Sequence, residues 1–327
     1  MTGRETTVNM SPASTRRSRV RFVQDSPGEY PPSSDGMSDS ILDAASAFIL
    51  REGRLLERRL FATLFQAAPV TGVVDALRGY RNEDGGFGHG LEPDKRCPES
   101  LPIDVEVAFQ TLSTAGAPGT DPMVSHACDW LATVAAPDGA VPLSLPVMEA
   151  YPRAAHWSDW TYAPGLNPTA GLAGLLHGMG VEHPWLTRAT DWCWSALEKG
   201  FPDDAHAMSE TLVFLEHVPD RDRAERLAER VGEWLPQLKW YRSDPADPEY
   251  GVSPLHLAPH PDSRWRRLFS DDVIEGHLDR LAADQRPDGG WAITWEPPGA
   301  AATLEYRGVE TLRALRVLGA YGRVPSN

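Results

Sequence analysis

The sequence predicts an all-α protein: a ring of about five or six helical hairpins in two concentric layers. Three observations carry that expectation. A short phrase recurs along the chain, apolar residues recur at helical steps almost throughout, and the helices so marked fall into two kinds. The phrase is an amphipathic helix, an Asp-Gly turn or its remnant, a loop, and a second, more apolar helix. Its sharp copies are Asn82-Glu83-Asp84-Gly85-Gly86-Phe87-Gly88 and Gln285-Arg286-Pro287-Asp288-Gly289-Gly290-Trp291. Weaker echoes are Ala136-Pro137-Asp138-Gly139 and Phe201-Pro202-Asp203-Asp204-Ala205. A repeated helical unit cannot bury its apolar face alone, so the units must stack.

Taken in order, the first 37 residues are rich in Ser, Pro, Thr and Arg and read as a disordered, mildly basic tail. Arg16-Arg17 is followed by no apolar stretch, which excludes an export signal of the twin-arginine kind. The helical domain is expected over 38–327. One-sided apolar stripes mark outer helices around Met123–Val134, Trp185–Leu197, Ala224–Leu235 and Val273–Ala282. The segments after the turns are different. Pro168–Met179 is apolar or small nearly all round, Ile103–Leu112 is mostly apolar but carries Asp104 and Glu106, and Ala301–Leu318 is longer and more charged. Runs such as Val141-Pro142-Leu143 are interrupted by proline, so no strand is expected. The stretch from Trp240 to Leu268 breaks the repeat and reads as an insertion or a degraded unit, with no helix expected at His256 between Pro254 and Pro259.

Composition excludes several functions. A formal net charge of −15 argues against nucleic acid and anionic membrane as partners. No apolar run is long enough for a transmembrane helix, while peripheral membrane contact stays open. The three scattered cysteines (Cys97, Cys128, Cys193) suit reduced thiols in the cytoplasm better than a disulfide framework or zinc site. No cofactor and no metal is expected. The dinucleotide, phosphate-loop and nucleophile-elbow fingerprints are all missing from the sequence.

Residues 285–291 (QRPDGGW) resemble the glutamine–tryptophan motif of squalene-type cyclases, and residues 81–88 (RNEDGGFG) resemble the Gly-Gly-Phe unit of protein prenyltransferase β subunits. The resemblance is to the terpenoid cyclase and protein prenyltransferase superfamily. It implies an α/α toroid over roughly 38–323, in which the motif is a structural brace. It also implies a small apolar, isoprenoid substrate in the barrel and carboxylate acid/base catalysis. The family's catalytic strings do not carry over: Asp-x-Asp-Asp is missing, and no Cys stands two residues after Asp104. Asp271-Asp272-Val273-Ile274-Glu275 fits a diphosphate-ionising variant in form but opens an outer helix, where acids favour the macrodipole.

Chemistry is therefore sought just downstream of the turns. The loop 86–102 holds His89, Glu92, Asp94, Lys95, Arg96 and Cys97 between a structural turn and an inner helix. Glu92 and Asp94 are candidate catalytic acids, with a solvated rim and Asp94 paired to Lys95 or Arg96 as the plain alternative. Glu296, at a comparable offset after the second sharp turn, is expected to converge with Glu92 on one cavity and split their pKa values. Asp104 is a catalytic candidate whose alternative is helix capping. His89, Trp295, Trp157, Trp160 and Glu305 are candidates for lining a substrate site. Two further readings stay open: an α/α barrel acting on glycans as a hydrolase or lyase, and a non-catalytic toroid binding a peptide or partner protein.

Overall fold

A computed structural model describes residues 36–158 and 161–325. The tail expected over 1–37, apart from its last two residues, and the candidate Trp160 lie outside the described residues. The described chain is helical, and its only β pairings are isolated bridges.

Twelve α-helices follow one another among the described residues: α1 (Gly36–Glu52), α2 (Leu55–Phe65), α3 (Thr71–Leu77), α4 (Pro102–Thr114), α5 (Pro122–Val134), α6 (Leu166–Gly178), α7 (Pro184–Lys199), α8 (Ala205–His217), α9 (Arg221–Trp234), α10 (Pro254–Leu257), α11 (Asp271–Ala283) and α12 (Ala300–Ala320). They pair as six hairpins, with the even-numbered helices inside. α6 is buried on nearly every side, from Pro168 to Gly174 and at Leu176. α9 instead buries only Ala224, Ala228 and Val231. The ring closes where α12 packs against α1 and α2.

Each Asp-Gly turn is a brace between one hairpin and a neighbouring outer helix. Gly85, Gly139 and Gly289 hold φ of 93°, 98° and 92°, a region that side chains disfavour. A Cβ on Gly85 would lie 2.7 Å from the His126 carbonyl of α5, and one on Gly139 would lie 2.7 Å from the Ala189 nitrogen of α7. One on Gly289 would strike the Ala44 carbonyl of α1, so the last turn locks onto the first helix. Asp84 Oδ1 accepts from the Gly86 amide (2.9 Å) and the Ser100 hydroxyl (2.7 Å). Asp288 accepts from the Gly290 amide and forms an ion pair with Arg307 at 2.7 Å. Gln285 donates to the carbonyls of Ile41 and Gly289, both at 2.9 Å, and the Trp291 indole donates to Leu281 O. The fourth echo works otherwise: Asp204 caps α8 by accepting from the His206 and Ala207 amides.

One expectation is corrected here. A helix does form at His256: α10 tolerates Pro254 because it occupies the first turn, where a missing N–H costs nothing. This four-residue stub is the inner helix of the degraded unit. Asp271 and Asp272 sit in the first turn of α11, but the capping side chain is that of Ser270, which accepts from the Val273 amide. No helix among the described residues is long and apolar enough to cross a membrane. All three cysteines are buried and unpaired.

Candidate active site

The loop 86–102 is a buried plug rather than a solvated rim. Arg96 N donates to Pro152 O (2.8 Å) and Ala154 N to Asp94 O (2.7 Å), so the segment 151–154 holds it in place. Inside, Lys95 is fully enclosed, with Nζ 2.8 Å from Glu92 Oε2 and 3.4 Å from Asp104 Oδ1. Asp104, itself 0 % exposed, accepts the Glu92 amide at 2.7 Å. Burial pushes the Asp104 carboxyl up to about 6 even though Lys95 and the Glu92 amide pull it down. Asp104 therefore joins the loop to α4 and does not cap its own helix. A lone buried cation between two acids is held by both, and taking the cation away leaves both acids without a partner.

That network leaves Asp94 apart. Arg96 is engaged elsewhere, by Glu305 at 2.7 Å, and Lys95 by Glu92 and Asp104, so neither pairs with Asp94 as the plain alternative had it. Asp94 Oδ1 instead accepts from the Trp295 indole at 2.8 Å, and Oδ2 lies 3.4 Å from His156 Nε2. Burial, then the neighbouring Glu92 charge, raises the Asp94 carboxyl to about 7, against the lowering effects of Trp295 and Lys95. A carboxyl so placed keeps its proton near neutral pH.

Trp295 also forms one wall of a cleft of about 390 Å³, together with Tyr250, Tyr306, His206, His256 and Glu310. Tyr306 stands edge-on to Trp295 with centroids 4.8 Å apart, and Tyr250 does the same at 5.5 Å. His206 stacks on Tyr250 and bonds its hydroxyl at 2.8 Å. Burial raises the Tyr250 hydroxyl to about 12 and the Tyr306 hydroxyl well above its ordinary value, so both remain neutral. Part of the remaining lining is polar, with Arg242, Asp247, Glu249 and Arg313, and part is apolar, with Val252, Leu255 and Ile293. Among the described residues, no group of three or more His, Cys, Asp and Glu side chains is placed to hold a metal ion.

Asp94, Trp295, Glu92 and Asp104 thus come together, while other candidates do not. Glu296 is exposed and lines an outer groove with Arg286, Asp288 and Arg307. The expected convergence of Glu92 and Glu296 is replaced by contact between Asp94 and Trp295: the Trp295 indole reaches the loop 86–102, while Glu296 stays in solvent. His89 is exposed at φ 58° and bonds Asn82 at 2.8 Å, which assigns it to the turn. Trp157 is 4 % exposed and packs with Cys97, Leu101, Met148 and Ala154 in a satellite core instead of a ligand wall. Glu305 serves the Arg96 ion pair at the mouth of the inner helix. Tyr250, Tyr306, His206 and His156 were not singled out from sequence. Tyr306 carried a readable signal, a polar aromatic one residue after Glu305 on a helix expected to be inner. Tyr250 lies in the stretch that breaks the repeat and carried none.

No family model matches this chain, and no curated protein does. Among solved structures it is similar to the type II terpene cyclase MstE from Scytonema without ligand. The TM-score is 0.51 at 14% identity over 88% of this chain and 98% of that one. The same cyclase in complex with geranylgeranyl dihydroxybenzoate aligns at a TM-score of 0.49, 14% identity, and 87% and 98% coverage. The likeness shows the fold: a terpenoid-cyclase-like all-helical ring, as the turn motifs implied.

Proposed function

We propose that the protein is an enzyme in which Asp94 donates a proton to an alkene of an apolar, isoprenoid substrate held in the cleft. One observation carries this reading. Asp94 is a buried carboxylic acid that holds its proton near neutral pH, beside an aromatic wall. In the proton transfer the Asp94 O–H bond breaks and a C–H bond forms. The π pair of the alkene is consumed, leaving a carbocation and the Asp94 carboxylate. Trp295 donates to Oδ1, which leaves Oδ2, 3.4 Å from His156 Nε2, as the proton-bearing oxygen. The rings of Trp295, Tyr250 and Tyr306 offer faces that stabilise a cation without reacting as bases. Lys95 lies one residue away, and its charge favours the carboxylate left behind.

A second reading has one observation in its favour: the polar wall of Arg242, Asp247, Glu249 and Arg313 suits a hydroxylated substrate such as a glycan, with Asp94 again the acid. One experiment separates the two. The protein is incubated with geranylgeraniol, geranylgeranyl dihydroxybenzoate and a panel of oligosaccharides, and products are read by liquid chromatography and mass spectrometry. Isomers of unchanged mass from an isoprenoid support cyclisation, and shortened sugars support the second reading. Asp94→Asn is expected to abolish turnover. Trp295→Phe removes a hydrogen bond that lowers the Asp94 pKa, so the pH at which activity falls should move upward. Wild-type rates in Asp94→Asn would end the assignment.

A further inference from the structure

Two acids that the reaction above does not use meet on the inner layer. Glu106 projects from α4 and Glu210 from α8, and both reach over Gly171 of α6. A Cβ at Gly171 would collide with Glu210 Oε2 and lie 2.5 Å from Glu106 Oε1, so only glycine leaves them room. Glu106 is 5 % exposed, and apart from the Glu210 carboxyl its Oε1 has no hydrogen-bond partner among the described residues. Glu210 is enclosed by neighbours yet keeps accessible surface, so the pair is open on its side. His206, one turn earlier on the same face of α8, lines the cleft and bonds Tyr250. The pair thus lies one helical turn below the cleft wall.

Two touching carboxyls cannot both ionise, so they hold one proton between them. Burial, then the charge of Glu210, raises Glu106 well above the carboxylate range, and burial raises Glu210 as well. Once the other proton leaves, the pair carries one negative charge. His206 favours the charged form of Glu210, and among the described residues no Lys or Arg acts on either acid. A buried charge without a partner in the protein is stabilised by a partner that arrives from outside.

We propose that the Glu106–Glu210 pair is a binding site for the positively charged group of a ligand seated in the cleft, an ammonium head in a stable ligand. It rests on the cleft being the ligand site, and in the reaction proposed above its transient occupant is the carbocation. Asp94 has no part in it. The chemistry that such a site recognises is a compact cation on an apolar body, because the pair accepts hydrogen bonds and charge while the aromatic rings cover the rest.

The test is calorimetric titration with N,N-dimethyldodecylamine and, as the uncharged match, dodecanol. At about pH 7.5 the wild type should bind the amine on the order of tenfold tighter than the alcohol, and the preference should shrink as pH is lowered and the pair takes up its second proton. Glu106→Gln and Glu210→Gln keep shape and remove charge, so each should lose the preference with circular dichroism unchanged. Gly171→Ala should lose it by displacing both side chains. Equal binding of amine and alcohol by the wild type overturns the proposal, as does a preference that survives in both Gln variants or that ignores pH. The wild-type pH series decides the matter if the variants do not fold. Asp94→Asn is expected to keep the amine preference while losing turnover, so failure here and failure of the Asp94 assignment read differently.

Discussion

Asp94→Asn changes stability as well as chemistry, and the two can be measured apart. In the folded protein the Asp94 carboxyl sits near 7, against an ordinary value of 3.8. The folded state therefore binds the proton more tightly than the unfolded chain, and the sign follows. The stability lent by the protonated form is fully present below about pH 4 and is lost as pH rises through about 7. A shift of roughly three pH units at about 1.4 kcal/mol each sets a ceiling of about 4 kcal/mol. Partial solvent access screens some of it, so about 2 kcal/mol is the expected loss. Asparagine presents a neutral group of the same shape at every pH and still accepts from Trp295. The variant and the wild type should be equally stable near pH 4, and the variant should be more stable by about 2 kcal/mol near pH 8. Urea denaturation at four or five pH values gives the difference directly. Asp104, Glu106 and Glu210 titrate in both proteins and cancel from it. A variant that is less stable at pH 8, or a difference that does not change with pH, would refute the placement of a protonated Asp94 beside Trp295.

Two further outcomes test the scaffold that positions Asp94. Lys95→Met strands Glu92 and Asp104 inside the loop plug and should cost about 3–5 kcal/mol in thermal or urea unfolding; a loss under 1 kcal/mol would show the triad to be hydrated. Gly289→Ala forces a side chain into a left-handed turn against the Ala44 carbonyl and should cost at least about 1–3 kcal/mol. The same change at Gly322, whose φ is 70° but whose Cβ would meet nothing, should cost less, and equal losses would remove the ring-closing role from Gly289.

Much of the fold was legible in the sequence because its determinants are local. Period-3.6 stripes marked α5, α7, α9 and α11, and the all-round apolar segment marked α6 as inner. The turn glycines announced a backbone conformation that only glycine takes cheaply. Gln285 and Trp291 were legible as braces only through the resemblance of their motif, since Ile41, one of the partners of Gln285, lies 244 residues away in the chain. The stub α10 was missed because two prolines dominate its local reading, although one of them sits where a helix accepts proline.

The site was legible only in part, and the reason is sequence separation. The chain by itself determined that acids lie in the loop 86–102 and that Asp104 and Glu106 face a crowded interior. Which of them keeps a proton depended on burial in the closed ring and on the Glu92 charge, while the Trp295 indole that holds Asp94 comes from 201 residues away, a contact that nothing in either loop's composition states. Lys95 could equally have paired with Asp94; the packing of α4 against the loop gave it to Glu92 and Asp104 instead. Likewise Glu106 needed Glu210 and the bare Gly171 between them before it became more than a buried acid. Helical periodicity is written in neighbouring residues, so the sequence carries it. Charge burial and proton sharing are properties of distances through space, and only closure of the ring decides them.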